Sequence, residues 1–293
     1  MEKYRHAGKI AREVREEMQR FVRAGIPVIE ICEKAEGLIR QKGGQPAFPC
    51  NVSVNEVAAH YTSPPNDKRI IPSNSLVKVD VGVHFDGYIA DTAVTVCLYP
   101  ELENLVRTAE EALKTALRTI QADVSTSKLG STIQKTIETH GCKPVSNLTG
   151  HQVGRYLIHT GKSIPNVSHL LGSKIEKGEV LAIEPFVTVA NAAGKVRDGD
   201  ETTIFRFIKH KSTKSPHAKH LLNFIESSFR TLPFSERWLK DVLSQEHYSA
   251  AFRELIRCKC LMGYPIYVEA SEKPVAQAEH TVLVEKDGCE VLT

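Results

Sequence analysis

No stretch of this sequence stays apolar for the roughly 18 residues that a membrane-spanning helix needs. The first residues, "MEKYRHAGKIAREVREEMQ", are charged throughout and lack the apolar centre of a secretory signal. The expectation is a cytoplasmic protein with no membrane partner. Excess charge is lacking too. Lys and Arg number 38 against 35 Asp and Glu, and a net charge of +3 is too small by itself to imply nucleic acid. The seven cysteines, at 32, 50, 97, 142, 258, 260 and 289, never form C-x-x-C, and Cys258-x-Cys260 has the wrong spacing for a zinc knuckle. In a cytosolic chain they are read as reduced, small apolar side chains. Short-period repeats and low-complexity tracts are absent as well, which leaves an ordinary globular chain.

What is present is helical periodicity first and strand-like alternation later. Residues 3–24 place Ile10, Val14, Met18, Phe21 and Val22 on one stripe, and a second helix is predicted over 28–41, ending at Gly43-Gly44. Further helices are expected over 101–122, with Leu105, Ala109, Leu113 and Leu117 or Ile120 buried, and over 126–140. Between them lie an irregular Pro- and Asn-rich stretch and a hairpin over 76–97. From 201 to 264 the texture is helical and includes the only Trp; "AQAEHTVLVEKDGCEVL" then closes the chain as strand, Asp-Gly turn and strand. The expected class is α+β, helices on a largely antiparallel sheet with a late helical insert. The 293 residues suffice for one large domain or two modest ones.

The hairpin "LVKVDVGVHFDGYIADTAVTV" carries the first chemical signal. With Asp86-Gly87 as a two-residue type I′ turn, Phe85 faces Tyr88, Asp80 faces Ala93 and Asp91 faces Gly82. One face is then apolar: Val77, Val79, Val81, Val83 and Phe85 with Tyr88, Ala90, Val94 and Val96. Asp80 and Asp91 become diagonal neighbours on the other, roughly 5–8 Å apart. In an isolated hairpin the simpler reading is two solvated aspartates. The sharper one is a metal site, because neighbouring carboxylates repel unless a cation lies between them. Three further residues fit it by context: His151 between glycines in "TGHQVG", Glu184 at the end of the apolar run "VLAIEPF", and Glu279 in "VAQAEHTVLV". Four carboxylates carry −4 and two divalent cations +4, and a sulfur-free donor set suits Mn, Fe, Co or Zn.

The order Asp80, Asp91, His151, Glu184, Glu279 resembles the pita-bread metallohydrolases. With "AAHYTSP", "GHQVGRYLIHTGKSIPNV", "AIEPF", "LPFSERWL" and "AQAEHTVLV", the chain resembles, over nearly its whole length, the short archaeal form of the type 2 methionine aminopeptidases. The resemblance implies the pita-bread fold: a catalytic domain over 1–200 and 265–293, interrupted by a helical subdomain over 201–264. It implies that the five residues hold two divalent cations (Co, Mn, Fe or Zn), with Asp91 and Glu279 bridging. It also implies that a hydroxide between the cations removes N-terminal methionine from nascent polypeptides. His60 and His159 carry over as active-site histidines and Glu184 as proton shuttle. Phe48, Ile158, Phe186 and Tyr264 line the methionine pocket, with His60 at its edge.

Two rivals remain open at this point. An Xaa-Pro peptidase shares the ligand order but usually has an additional N-terminal domain, for which Asp80 comes too early. A non-catalytic scaffold is the other, since the basic stretch "RFIKHKSTKSPHAKH" could touch phosphates of RNA. Contact with the ribosome is compatible with catalysis. The family resemblance favours a monomer.

Overall fold

The computed structural model describes residues 1–293. Four of its helices follow the predicted periodicities: α1 (Glu2–Phe21), α2 (Val28–Gln41), α3 (Glu103–Thr119) and α4 (Thr126–Thr139). In α1, Ala7, Ile10, Ala11, Val14 and Met18 form one buried stripe, while Phe21 is only partly covered. Leu105, Ala109 and Leu113 do the same in α3, and of the two alternatives at its end Ile120 is the buried one. Local chemistry sets the starts: Pro27 precedes α2, and the Ser125 hydroxyl accepts the Lys128 backbone N–H at the head of α4.

All strand pairs are antiparallel. Seven strands of a nine-stranded sheet run in the spatial order Gln45–Pro46, Leu76–Phe85, Tyr88–Cys97, Glu279–Glu285, Val180–Ile183, Thr149–Gly154 and Leu157–Pro165. Asn51–Val54 also pairs with Leu76–Phe85, and Gly288–Val291 with Glu279–Glu285. A four-stranded sheet joins Phe234–Ser235, Val196–Phe207, Leu261–Glu269 and Val57–Ala59; a three-stranded one joins Val275–Gln277, Phe186–Val189 and Cys142–Pro144. The closing hairpin pairs Glu285 with Gly288, so it turns at Lys286-Asp287, one residue before the expected Asp-Gly step.

The helices cover the sheet in two pairs. α1 and α2 bury Val77, Val79, Val81 and Val83; α3 and α4 bury Leu181, Ile183, Val282 and Val284. Within residues 201–264, residues 201–207 and 261–264 belong to strands of the four-stranded sheet. Between them lie α5 (Pro216–Phe229) and α6 (Gln245–Arg257), packed through Leu221, Leu222, Ile225, Phe252 and Leu255 onto Phe205 and Phe234. All seven cysteines are free. No helix is long and apolar enough to cross a membrane.

Candidate active site

Strand register assembles the site. Asp86 and Gly87 take φ of 51° and 86°, the left-handed pair a type I′ turn requires, and the predicted partners follow: Asp80 with Ala93, Gly82 with Asp91, Phe85 with Tyr88. Ala93 also pairs with Glu279, and Asp80 with Asn51. Asn51, Asp80, Ala93 and Glu279 thus form one row across four strands. The methyl of Ala93 leaves open floor between the carboxyls of Asp80 and Glu279. A second row pairs His151 with Ala182 and Ala182 with Thr281. Gly150 permits it, since a Cβ there would lie 2.3 Å from the Ala182 carbonyl oxygen. The face carrying the two aspartates is not solvated, contrary to the reading for an isolated hairpin: Lys78, Asp91 and Thr95 are at most 3% exposed.

Ligand atoms of Asp91, His151 and Glu279 lie within 4.8 Å of one another. His151 Nε2 is 3.7 Å from Asp91 Oδ2 and 3.5 Å from Glu184 Oε1, too far for good hydrogen bonds but aimed at a common gap. Asp80 Oδ2 accepts from Asn51 Nδ2 at 3.1 Å, while Asp80 Oδ1 and Asp91 Oδ1 are buried without any partner. Burial pushes the Asp80 carboxyl up to about 7. It raises Asp91, Glu184 and Glu279 well above their ordinary values, reinforced by the charges of the neighbouring carboxyls. Burial also drives the imidazoles of His60 and His151 down, to about 4 and about 3. Unpartnered oxygens and carboxyls forced to keep protons are what a donor set built for cations shows when considered by itself. Oxygen and imidazole donors without a thiolate suit hard or borderline divalent ions.

A cavity of about 270 Å³ opens over this floor. Every residue singled out from the sequence lines it: Asp80, Asp91, His151, Glu184 and Glu279 below, with Phe48, His60, Ile158, His159, Phe186 and Tyr264 around them. His159 stands edge-on to His151, ring centroids 4.1 Å apart. His60 has a φ of 68°, rare for a side chain of this size, and packs against Tyr267 at 4.5 Å and Tyr264 at 5.8 Å. Phe48 lies over Gly82, where a Cβ would fall 2.2 Å from the ring.

The sequence pattern of metallopeptidase family M24 matches residues 2–286. The chain belongs to this family. The chain is therefore a metallopeptidase, a hydrolase whose family uses divalent metal cations. It is 45% identical over 296 residues to the methionine aminopeptidase of Methanothermobacter thermautotrophicus, with 100% of this chain and 98% of that relative covered. To the methionine aminopeptidase of Methanocaldococcus jannaschii it is 44% identical over 292 residues, with the same coverage. Among solved structures, a thermophilic Arx1 superposes with a TM-score of 0.84 at 20% identity, covering 99% of this chain and 89% of that one. The methionine aminopeptidase of Thermotoga maritima gives 0.72 at 22%, covering 100% and 95%. The X-Pro aminopeptidase of the same organism gives 0.62 at 18%, covering 100% of this chain but 60% of its own. These likenesses establish the pita-bread fold.

Several groups of the metallopeptidase were not singled out from the sequence. Gln277 Nε2 donates to Glu184 Oε2 at 3.3 Å and to Glu279 Oε2 at 3.4 Å, tying the two glutamates together. Asn51 holds Asp80. Gln277 stands two residues before Glu279, a same-face spacing in a strand, and could have been found that way. Asn51 meets Asp80 only through the pairing of two strands 29 residues apart, which leaves no local signal.

Proposed function

We propose that this metallopeptidase removes the N-terminal methionine from nascent polypeptides, acting as a cytoplasmic monomer. Asp80, Asp91, His151, Glu184 and Glu279 would hold two divalent cations (Co, Mn, Fe or Zn). The observation that carries this reading is the convergence of four carboxyls and one imidazole, two oxygens unpartnered, on the floor of a cavity that Phe48, Ile158, Phe186 and Tyr264 also line. The two archaeal relatives named above are methionine aminopeptidases that this chain covers to 98% of their length, which supports it. In the domain reading, residues 1–200 and 265–293 form the catalytic body and 201–264 the inserted subdomain.

Bound cations would supply a water of lowered pKa and Lewis acidity at the scissile carbonyl. Glu184, steadied at Oε2 by Gln277, takes the proton of the attacking water and passes it to the leaving amine. His159 donates to the carbonyl oxygen as charge develops there, and His60 flanks the scissile bond. Phe48, Ile158, Phe186 and Tyr264 receive the methionine side chain and exclude water from it. One methylene of misfit in such a pocket changes binding by only ~1–3 kcal/mol, so a strong but leaky preference is expected. The exposed Lys209, Lys211 and Lys214 extend the proposal to contact with ribosomal RNA, which would weaken with salt.

The test is methionine release from Met-Ala-Ser beside Ala-Pro-Ala during titration of cation-free protein with Mn, Fe, Co and Zn. Cleavage of the first peptide alone is expected; preference for the second would make the protein an Xaa-Pro peptidase. Glu184→Gln should abolish turnover with the fold intact, and undiminished turnover would remove Glu184 from this role.

A further inference from the structure

The proposed reaction leaves one charged cavity side chain without a task. Arg206 is the only Lys or Arg among the lining residues. Its strand, Val196–Phe207, pairs Ile204 with Tyr264 and Arg206 with Met262. Tyr264 stands against His60, and the Arg206 guanidinium carbon is 5.8 Å from the Tyr264 ring centroid. Tyr264 therefore links His60 to Arg206 along the cavity lining, of which Leu157 and Thr231 are exposed members. Arg206 is half-buried and its Nε is wholly buried with no hydrogen-bond partner. Some arginines pair with carboxylates, as Arg5 does with Glu290, Arg69 with Glu201, Arg197 with Glu272 and Arg237 with Glu36. Arg206 has none.

Charge balance sharpens the point. Four carboxylates and two divalent cations sum to zero before the charge of a hydroxide is counted, and Arg206 is the only Lys or Arg side chain left facing the cavity. A planar guanidinium with a desolvated, idle N–H recovers the cost when a carboxylate arrives, because a charge-assisted, two-pronged bond is among the stronger polar contacts. The methionine reading, on which this inference rests, sends the peptide N-terminus to the floor and the following residues past Arg206 to the mouth.

We propose that Arg206 is a specificity-determining residue that receives a substrate carboxylate just beyond the cleaved bond. That carboxylate is either the side chain of an acidic third residue or the C-terminal carboxylate of a short peptide. Two substrate pairs separate the sources: Met-Ala-Asp-amide against Met-Ala-Asn-amide, and Met-Ala-Ser against Met-Ala-Ser-amide. In the Mn-loaded protein the carboxylate member of at least one pair is expected to have a kcat/KM roughly ten-fold higher, mainly through KM, with the advantage shrinking as salt rises. Arg206→Met, which keeps the apolar stem, should bring that ratio to within about two-fold of unity, and Arg206→Lys should restore part of it. A role confined to packing would lower both members of a pair alike and leave the ratio unmoved. Ratios near one in both pairs for the wild type, or the same ratio in Arg206→Met, overturn the proposal. If no methionyl peptide is cleaved, the methionine reading fails. Calorimetric Kd values of the uncleaved Ala-Asp-amide and Ala-Asn-amide, and of Ala-Ser and its amide, then decide the role of Arg206 by the same ratios.

Discussion

Small residues shape this site as much as the acidic ones fill it. Gly82 pairs with Asp91, and the ring of Phe48 occupies the space its missing side chain leaves. Gly82→Ala would push that ring toward the methionine pocket, so KM for Met-Ala-Ser should rise several-fold or more while far-ultraviolet circular dichroism stays native; an unchanged KM would remove Phe48 from the pocket wall. Gln277 acts on the floor, its amide reaching both Glu184 and Glu279. Partners of this kind orient ligands, and Gln277→Leu should weaken Mn binding, followed by calorimetry, by roughly 10–100-fold. The two aspartates were legible because a two-residue Asp-Gly turn fixes their register locally. Asn51 and Arg206 were not, because both face the cavity only through pairing with strands far away in sequence.

Helices α1 to α4 were legible for a physical reason: their buried faces repeat every three to four residues, and that period survives whatever they pack against. The elements between 201 and 264 are different. "TTIFRF" ends a strand whose partner lies some 60 residues on, and its apolar residues alone do not say whether they face a helix or a sheet. What locks this segment to the body is equally non-local. Arg237 donates to both Glu36 oxygens, at 2.8 and 3.1 Å, to the Ser63 carbonyl and to the Thr62 hydroxyl. Trp238 Nε1 donates to Glu36 at 2.7 Å, and Cys50 N does so at 3.2 Å. Glu36 is 2% exposed. Glu36→Ala leaves a buried guanidinium unpaired and should cost about 3–5 kcal/mol in urea unfolding. Trp238, the only tryptophan, reports the loss directly by fluorescence. A loss under 1 kcal/mol would mean that the clip contributes little.

Titration couples the whole molecule to its cations. In the cation-free protein the carboxyls of Asp80, Asp91, Glu184 and Glu279 keep protons that the unfolded chain releases near pH 4. Their contribution to stability is present at low pH and is lost as pH rises above the range of the unfolded carboxyls, with Asp80 titrating through about 7. Buried histidines run the other way. His60 and His84, lowered to about 4, and His151 and His280, lowered to about 3, favour the fold above pH 6.5, an advantage lost as pH falls below that value. The two trends oppose each other below pH 6.5, and above it the histidine term is flat. Burial lowers Lys78 to about 7, so between there and its unfolded value it favours folding with rising pH. Bound cations replace those protons and add about 2.7 kcal/mol at a hundred times Kd. The gap in Tm between loaded and cation-free protein should widen from pH 5 to 7, where the Asp80 carboxyl is protonated in the cation-free fold and ionised in the unfolded chain, and loading at pH 6 should release protons, seen as a calorimetric enthalpy that varies with the ionisation enthalpy of the buffer. A gap that stays constant from pH 5 to 7, with no proton release, would mean that the four carboxyls do not share one low-dielectric site with the cations.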